Sequence, residues 1–553
     1  MIPAEVAALQ EQALRLHADG KLDQAEPLYR QILSLEPGHF TAIHCLGVIE
    51  SQRFHYEAAV VLIGEALRLN PRSAMAHLNL GIALGGLGRY QEALTHYQFS
   101  LVLNPAFPDT YMNRAIALHR LGRHEESLAN YDKCLAIKPD FALAHSNKIF
   151  VLDYVPGLGF EEHQAERRRF YQAQAKRFED PHRLHRNDRD PSRRLVLGYV
   201  SADFRRHSAA SCFGPVLLRH DRAAFKVVCY SGTVVEDDWT QRFREAADLW
   251  RPTAGLSDDE LGARIREDGV DILIDLSGHS EGNRLLVFAR KPAPVQVTAW
   301  GHGGGTGLPM IDYLFTDPVH IPPWARPLFA EKAYDLPCNI TFEPPGYAPA
   351  VADLPARRRG SVTFGSLNRF VKLTPDLLDL WARILAEVPG SRLLLKDAAL
   401  EDPPLQAQLR DRFAGRGIDP DRLLLRGLSD HEAHLAAYNE VDLVLDPFPQ
   451  NGGITTWEAL WMGAPVIAMP GNKPSSRISA SILQALGLGE WIAGDETAYR
   501  ELAVRRAADL DALARFRHGI RARIEASPAG NPWAYTRAVE ESYRAMWAQW
   551  LAR

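Results

Sequence analysis

Apolar and small residues recur along the first 150 residues with the spacing of paired helices. A proline closes each successive unit, and these prolines are 34 residues apart, at Pro37, Pro71, Pro105 and Pro139. When the proline is set at position 32 of its unit, positions 8 and 20 are small and position 24 is large. The residues at these positions are Ala13, Gly47, Gly81 and Ala115; Ala25, Ala59, Ala93 and Ser127; and Tyr29, Ile63, Tyr97 and Tyr131. The small residues at position 8 predict two helices that approach closely within each unit.

A period of 34 residues is that of tetratricopeptide repeats, so residues 1–150 are predicted to form an α-superhelix of such repeats. Asn79, Asn113 and Asn147 recur at position 6, on the first helix, which lines the concave face of such a superhelix. These residues are either solvated polar positions or an amide ladder that hydrogen-bonds an extended peptide backbone. The repeats therefore predict a peptide-binding surface.

The pattern changes in the second third of the chain. A charged amphipathic helix, "FEEHQAERRRFYQAQAKRF", opens a predicted helical linker, residues 151–192. The stretch "EDPHRLHRNDRDPSRR" at 179–194 has neither helical nor strand periodicity, which predicts a domain boundary near residue 190. Short apolar strands then alternate with helical segments. The strands are predicted at 195–200, 225–230, 271–276 and 295–300, and in "SVTFGSLN", "SRLLLKD", "DRLLLRG", "VDLVLDP" and "APVIAMP".

This alternation predicts two doubly wound α/β domains, residues 193–345 and 357–553. The fold class is therefore α + α/β, with a repeat superhelix followed by two Rossmann-like domains. Ligands of such sheets bind beyond the carboxyl ends of the strands. The loops that follow the strands are accordingly the places where functional side chains are expected.

Four such loops carry candidate chemistry. "PQNGGITTWEALW" runs from a glycine-rich loop into a helix whose N-terminus suits a phosphate, although a tight turn alone would explain the glycines. Lys372 precedes a helix with Thr374 as N-cap, so this lysine is either solvated or within reach of a phosphate. Asp203 and His207 follow the first strand, in structural or catalytic roles. In "GHGGGTG", residues 301–307, the many glycines favour close backbone approach to a ligand.

Composition excludes several classes of partner and of site. A net charge of −5 over 553 residues provides no basic field for nucleic acid. The five cysteines are scattered without a CxxC pair, which fits a reducing cytoplasm rather than a disulfide framework or a zinc site. Neither an export signal nor a run of about 18 apolar residues is present. We therefore expect a cytoplasmic protein whose partners include neither nucleic acid nor a membrane.

Taken together, these motifs resemble the O-linked N-acetylglucosamine transferase family, in which tetratricopeptide repeats are joined to a two-domain catalytic region of the GT-B type. The resemblance covers the repeats and the segments "GYVSADFRRHS", "DILIDLSGHS", "APVQVTAWGHGGGTG", "FGSLNRFVKLTP", "LDPFPQNGGITTWEALWMGAPVIAMPG" and "SRISASILQALGL". Only a short segment, residues 344–359, separates the catalytic halves, as is typical of bacterial members. The resemblance implies inverting transfer from UDP-GlcNAc to serine or threonine hydroxyls of protein acceptors along the repeat groove.

The resemblance also implies roles for individual residues. Lys372 would neutralise charge on the departing phosphate. His207 would lie near the sugar and acceptor and could take the hydroxyl proton, with Asp203 as a second candidate base. The residues expected at the sugar nucleotide are Asn368, Arg369, His434, Gly452, Gly453, Thr455, Thr456, Glu458, Gly303, Gly304 and Thr306. No DxD motif occurs in a suitable context, so no metal and no other cofactor is expected.

Three departures from the animal members leave other functions open. Those members have His-Thr-Thr where this chain has Gly453, Ile454 and Thr455; a basic residue is replaced by Ala437 and a lysine by His431. Each change is expected to remove or weaken a contact to the sugar nucleotide. The alternatives are a repeat scaffold with a weak or inactive catalytic region, and a related enzyme that uses another UDP-sugar or an asparagine acceptor.

Overall fold

The structure is a computed structural model that describes residues 2–180 and 183–553. Met1 of the predicted start and Pro181 and His182 of the predicted linker lie outside the described residues. The chain divides at residue 151 into a helical unit and a larger unit that contains both sheets. In the part of the chain that the structure describes, no helix is long and apolar enough to cross a membrane.

The first unit consists of helix pairs, as the 34-residue period predicts. A Cβ atom at Gly47 would lie 2.5 Å from Ile63, and one at Gly81 would overlap the Tyr97 ring. Position 8 is therefore small because position 24 of the second helix packs directly on it. The helices are α1 (Ile2–Ala18), α2 (Leu22–Leu35), α3 (Phe40–Gln52), α4 (Tyr56–Leu69), α5 (Ala74–Gly86), α6 (Tyr90–Leu103), α7 (Pro108–Arg120), α8 (His124–Ile137) and α9 (Ala142–Leu152). The predicted repeat architecture is confirmed.

The second unit begins with α10 (Phe160–Phe170) and a parallel sheet, whose described strands run in the order β3-β2-β1-β4-β5-β6-β7. The strands are β1 (Leu195–Ser201), β2 (Phe225–Ser231), β3 (Leu249–Pro252), β4 (Ile272–Asp275), β5 (Val295–Thr298), β6 (Tyr313–Thr316) and β7 (Lys332–Asp335). The intervening helices are α11 (Ser208–Leu217), α12 (Asp238–Ala246), α13 (Asp258–Glu267) and α14 (Leu285–Ala289). Helices cover this sheet, so its central strands are almost wholly buried, as expected for parallel sheets.

The second sheet is also parallel, in the order β10-β9-β8-β11-β12 among the described strands. Its strands are β8 (Thr363–Ser366), β9 (Arg392–Lys396), β10 (Leu423–Arg426), β11 (Leu443–Leu445) and β12 (Val466–Ile467). Its helices and those that follow are α15 (Pro355–Arg359), α16 (Pro375–Glu387), α17 (Pro403–Ala414), α18 (His431–Ala437), α19 (Ile454–Trp461), α20 (Ile478–Ala485), α21 (Glu496–Ala507), α22 (Leu510–Ala526) and α23 (Pro532–Leu551). Two Rossmann-like sheets are therefore confirmed.

The strand orders locate the places where ligands bind. The order reverses between β1 and β4 in the first sheet and between β8 and β11 in the second. Ligands of open α/β sheets occupy the crevice at such switch points. The loop after β1 carries Asp203 and His207. The loops after β8 and β11 carry Lys372 and the glycine-rich segment.

Two segments belong elsewhere than the sequence predicts. Helix α23 lies within the range predicted for the second α/β domain, but it packs on the first sheet, where Tyr543 and Tyr199 hydroxyls lie 3.1 Å apart. Likewise, the predicted linker is part of the second unit: Phe160 of α10 is buried with Leu314 and Ile321. Both α10 and α23 therefore pack with the first α/β domain, although they lie outside its predicted range of residues 193–345.

Candidate active site

The loop between β11 and α19 is held in shape by its own hydrogen bonds. Asp446 Oδ1 accepts the Gly452 N–H at 2.8 Å, and the Ser479 hydroxyl donates to the Gly452 carbonyl at 3.2 Å. A Cβ atom at Gly452 would lie 2.5 Å from Thr456 Oγ1, so a larger residue would force a shift. The first N–H groups of α19 have no partner inside the helix and carry the positive end of its dipole. This arrangement suits an anion.

Lys372 lies beside this loop, on the short turn after β8. Its Nζ donates to the Asn451 carbonyl at 2.6 Å and to Asn368 Oδ1 at 3.3 Å. The Thr455 hydroxyl also donates to Asn368 Oδ1, at 3.1 Å. The structure therefore brings the predicted site residues Lys372 and Asn368, which are four residues apart, together with Thr455, which is distant from both in sequence. Thr456, by contrast, is buried and turned inward, with its hydroxyl 2.8 Å from that of Ser479.

The predicted N-cap that positions Lys372 is present. Thr374 accepts the Leu377 N–H at 3.3 Å, and Pro375 occupies the first position of α16. Proline at this position lacks an N–H that would have no helical partner in any case. The start of α16 is thereby fixed three residues after Lys372, and so is the turn that carries this lysine.

Burial shifts the pKa values of Lys372 and Asp446 towards each other. Burial, followed by the Arg369 charge, lowers the pKa of Lys372 to about 7, against the effect of Asp446. Burial raises the pKa of Asp446 to about 7, against the effect of the Gly452 N–H and of Lys372. The pair therefore titrates near neutral pH, where an arriving anion would favour the charged lysine.

Several buried polar atoms around the loop lack a hydrogen-bond partner among the described residues. They are Ser366 Oγ, Asp446 Oδ2, Gln450 Oε1, Asn451 Oδ1 and Ser475 Oγ. Buried polar atoms in folded proteins are almost always hydrogen-bonded, to protein, water or ligand. Asn451 is the residue whose carbonyl accepts from Lys372, and its N–H donates to the Ser475 carbonyl at 3.0 Å, so these atoms indicate a polar site that a ligand or ordered water completes.

Glu458, one turn into α19, is held by two histidines. His431 Nε2 lies 2.7 Å from Glu458 Oε1, and His434 Nε2 lies 3.6 Å from Oε2. Burial alone would raise the pKa of Glu458, but these two histidines hold it below its usual value. Glu458 is therefore an oriented carboxylate with lone pairs that can accept hydroxyl hydrogen bonds. The Tyr347 hydroxyl lies 2.7 Å from His431 Nδ1 and fixes the ring from the other side.

The three departures noted in the sequence have different structural consequences. His431 takes part in the Glu458 pairing, so this position keeps a polar link to the site. Ala437 is 4% exposed and packs in the core, so its small side chain fills space between α18 and the sheet. At Gly453, an added Cβ would lie 3.5 Å from Ile340 and 3.6 Å from Ile478, which are ordinary contact distances. A side chain at this position would therefore pack against these two residues at the start of α19.

Asp203 and His207 lie together at the end of β1. His207 Nδ1 is 3.5 Å from Asp203 Oδ2 and accepts the Ala209 N–H at 3.3 Å, which caps α11. Burial raises the pKa of Asp203, while the His207 charge opposes the rise. With its proton on Nδ1 and directed to Asp203, the ring would present Nε2 as a base. With Nδ1 accepting from Ala209, the neutral ring carries its proton on Nε2 instead.

The glycine-rich loop after β5 packs against α10. A Cβ at Gly304 would overlap the Arg167 guanidinium, and Arg167 Nε donates to the Gly305 carbonyl at 2.9 Å. Thr306 is buried, and its N–H donates to Glu331 at 2.6 Å. The close approach that the glycines predict is therefore made with the protein's own helix. The predicted sugar-nucleotide contacts of Gly303, Gly304 and Thr306 stay predictions.

The predicted amide ladder is half-buried and engaged within the repeats. Asn79 Nδ2 lies 3.0 Å from His44 Nε2, and Asn113 Nδ2 donates to the Asp109 carbonyl at 2.9 Å. Asn147 hydrogen-bonds Tyr131. A peptide role for these residues stays a prediction.

Two residues of the site were not singled out in the sequence. Asp446 orders the loop and faces Lys372, and Asn451 supplies the carbonyl that accepts from Lys372. An aspartate directly after a buried strand, in "VDLVLDP", is a signal for Asp446. Nothing in the sequence indicates a backbone carbonyl as the partner of Lys372.

Comparison with known proteins agrees with this geometry. A family model described as "Glycosyl transferase family 41" matches residues 174–341 and 353–539, and tetratricopeptide repeat models match residues 108–141 and 86–122. A solved Thermobaculum terrenum O-GlcNAc transferase, a lysine-to-methionine mutant, shares 31% identity with a TM-score of 0.77. That alignment covers 100% of this chain and 99% of the solved one.

Curated relatives match about two thirds of the chain. A protein of Petunia hybrida named "Probable UDP-N-acetylglucosamine–peptide N-acetylglucosaminyltransferase SPINDLY" is 38% identical over 66% of this chain and 40% of its own length. The protein named SEC in Arabidopsis thaliana is 31% identical over 64% of this chain and 37% of its own. The chain thus spans about 40% of the length of such relatives.

Proposed function

The chain belongs to glycosyl transferase family 41, and on that basis we propose that it is an inverting, metal-independent transferase that moves N-acetylglucosamine from UDP-GlcNAc to serine and threonine hydroxyls of proteins. The observation that carries the proposal is the meeting of Lys372, Asn368 and Thr455 at the start of α19. The relatives' names supply the sugar and the peptide acceptor. The repeats supply a surface for acceptor proteins.

In this proposal the diphosphate lies at the start of α19. The helix N–H groups and the Thr455 hydroxyl donate to its oxygens, and Lys372 faces the phosphate that leaves. Hydrogen bonds to charged groups of this kind contribute about 1.5–3 kcal/mol each. The ammonium stabilises charge that grows as the glycosidic bond breaks, so it acts more strongly on the transition state than on the ground state. Glu458 accepts hydrogen bonds from the ribose hydroxyls.

The acceptor is activated at the end of β1. The acceptor oxygen attacks the anomeric carbon on the face opposite the diphosphate, and UDP leaves with the electron pair of the broken bond. The hydroxyl proton passes to His207 Nε2, which requires the tautomer with Nδ1–H directed to Asp203 and therefore loss of the Ala209 N–H bond to Nδ1. In this proposal Asp203, 3.5 Å from Nδ1, stabilises that tautomer. Asp203 is thus assigned to orienting the base.

The first test is a calorimetric titration with UDP in the presence of a chelator. We expect micromolar binding under these conditions, because every proposed contact to the diphosphate is a hydrogen bond from the protein and none is made through a metal ion. Binding that appears only when Mg²⁺ or Mn²⁺ is restored would contradict metal independence. Absence of binding in both conditions would contradict the donor site.

The second test follows the sugar itself. Labelled UDP-GlcNAc and a serine- and threonine-containing peptide library are incubated with the protein, and the product linkage is identified by mass spectrometry and NMR. We expect a β-linked product from the α-linked donor. Labelling of asparagine, or labelling only from another UDP-sugar, would contradict the assigned acceptor or donor.

A further inference from the structure

Three consecutive residues between α9 and α10 contact three different loops of the catalytic unit. Asp153 pairs with His302 in the loop after β5. The Tyr154 hydroxyl accepts from Arg369 Nη2 at 2.9 Å, in the loop after β8. The Val155 carbonyl accepts from Lys473 Nζ at 2.9 Å, in the loop after β12. These residues, hereafter the strap, are 153–155 and lie upstream of the family-matched region.

The strap is buried, and so is its partner Lys473. Asp153, Tyr154 and Lys473 are 4%, 3% and 2% exposed. Burial lowers the pKa of Lys473 to about 8, and the Asp153 charge opposes this shift. Buried charged groups are costly to leave unpaired, so these contacts hold the strap firmly in place. The strap is therefore a fixed point of attachment for the side chains that hydrogen-bond to it.

Of the three contacts, the one to Arg369 reaches the proposed diphosphate site. Arg369 is adjacent to Asn368 in the chain, and its charge is the second largest influence on the pKa of Lys372. Its side chain is exposed, while Tyr154 accepts one of its N–H groups. A guanidinium has five N–H donors in a fixed fork, so anchoring one end sets the direction of the rest.

We propose that Tyr154 is a positioning residue for the donor site: its hydroxyl anchors the Arg369 guanidinium so that the remaining donors face the diphosphate of the UDP-sugar. This rests on the proposed function. Without the anchor, Arg369 keeps its charge but loses its fixed direction. Ordering the Arg369 side chain then costs conformational entropy when UDP binds, which weakens binding.

The test measures binding of UDP and of uridine to the full-length protein. Tyr154→Phe removes one oxygen and keeps the ring. We expect the Kd for UDP to rise about tenfold, the lower end of the effect of a hydrogen bond to a charged group. The Kd for uridine, which has no phosphate, is expected to stay unchanged. Tyr171→Phe is the matched control, because its hydroxyl donates to Glu179 at 2.7 Å on an exposed surface.

A double-mutant cycle separates positioning from structural support. If Tyr154 acts through Arg369, Tyr154→Phe has no further effect on UDP binding in an Arg369→Ala background. Equal losses in both backgrounds, or a parallel loss of uridine binding, would overturn the inference. Wild-type UDP binding with no change in Tyr154→Phe would overturn it as well. Failure of the wild type to bind UDP would instead remove the proposed function and the inference together.

Discussion

Lys372 sits in surroundings that disfavour its charge, which is why its replacement is informative. We predict that Lys372→Met lowers the rate of transfer about 10²–10³-fold, the cost of removing one group that stabilises transition-state charge. The fold should persist, because the lost partners are one backbone carbonyl and one amide oxygen, and the amide oxygen keeps the Thr455 hydroxyl as a donor. The measurement is initial rate with labelled donor, together with thermal unfolding.

Lys396→Met is the matched control for that variant. Lys396 is also a buried lysine at the end of a strand of the same sheet, and its Nζ donates to the Gly427 carbonyl at 2.9 Å. Both variants lose a buried ammonium that is bonded to main chain. Transfer should be within about twofold of wild type in Lys396→Met. Equal losses in the two variants would show that the effect comes from the fold.

The near-neutral pKa of Lys372 predicts proton uptake on binding. At pH 8 a lysine with a pKa of about 7 is mostly neutral in the free protein, with Arg369 opposing its charge and Asp446 favouring it. UDP is fully ionised at this pH, since phosphate groups have a second pKa of about 6. Its negative charge raises the pKa of the lysine, so binding should take up close to one proton and weaken as pH rises.

Calorimetry in buffers of different ionisation enthalpy measures that uptake. Wild type should take up a proton at pH 8, whereas Lys372→Met should not. Uptake that survives in Lys372→Met would assign the proton to Asp446 instead. Zero uptake in the wild type would mean that Lys372 is already charged in the free protein.

At the scale of elements, the repeats depend on close packing of position 8 on position 24. A Cβ at Gly81 would meet the buried Tyr97 ring, whereas one at Gly64, inside α4, would meet nothing within 4 Å. We predict that Gly81→Val destabilises α5 and α6 by about 1–3 kcal/mol, the usual effect of overpacking. Gly64→Val should be close to neutral. Native-state hydrogen exchange of the two helices reports the difference, and equal protection in both variants would contradict the packing account.

The elements that the sequence predicts well are those with a strong local signal. The repeats follow from a fixed period, and β1, β2 and β5 follow from apolar runs bounded by turns. β3 and β7 have no such run, because they lie at sheet edges where their side chains are half-exposed. The meeting of Lys372 with Thr455 was expected only through a family resemblance, since no local pattern encodes which loops converge.

At the scale of the whole molecule, local pattern also fails to identify the partner of an amphipathic helix. Helix α23 has a clear apolar face, which includes Tyr535, Val539 and Tyr543. The same face would suit either sheet. The Tyr535 hydroxyl donates to the Cys338 carbonyl at 2.8 Å, which fixes the choice through a residue almost 200 positions away. The sequence therefore predicts the helix and not its destination.

Helix α10, which lies in the predicted linker, packs against the glycine-rich loop of the first sheet. Arg167 of α10 is fully buried and bonded to the glycine-rich loop, and Gln164 donates to the Gly304 carbonyl at 2.8 Å. Burial raises the pKa of Glu331, and the Arg167 charge is among the groups that oppose the rise. Removing α10 would expose apolar surface and leave the Gly304 and Gly305 carbonyls without their donors. An unsatisfied buried polar group costs about 1–3 kcal/mol.

We therefore predict that a fragment of residues 152–553 folds and binds UDP as the full chain does, whereas a fragment of residues 193–553 loses both properties. The two fragments differ only in the strap, α10 and the stretch up to residue 192, so the comparison isolates that segment. Circular dichroism, thermal unfolding and UDP calorimetry measure the outcome. Equal folding and affinity in both fragments would restore the interpretation of residues 151–192 as a simple linker. Loss of folding in both would show instead that the catalytic unit depends on the repeats.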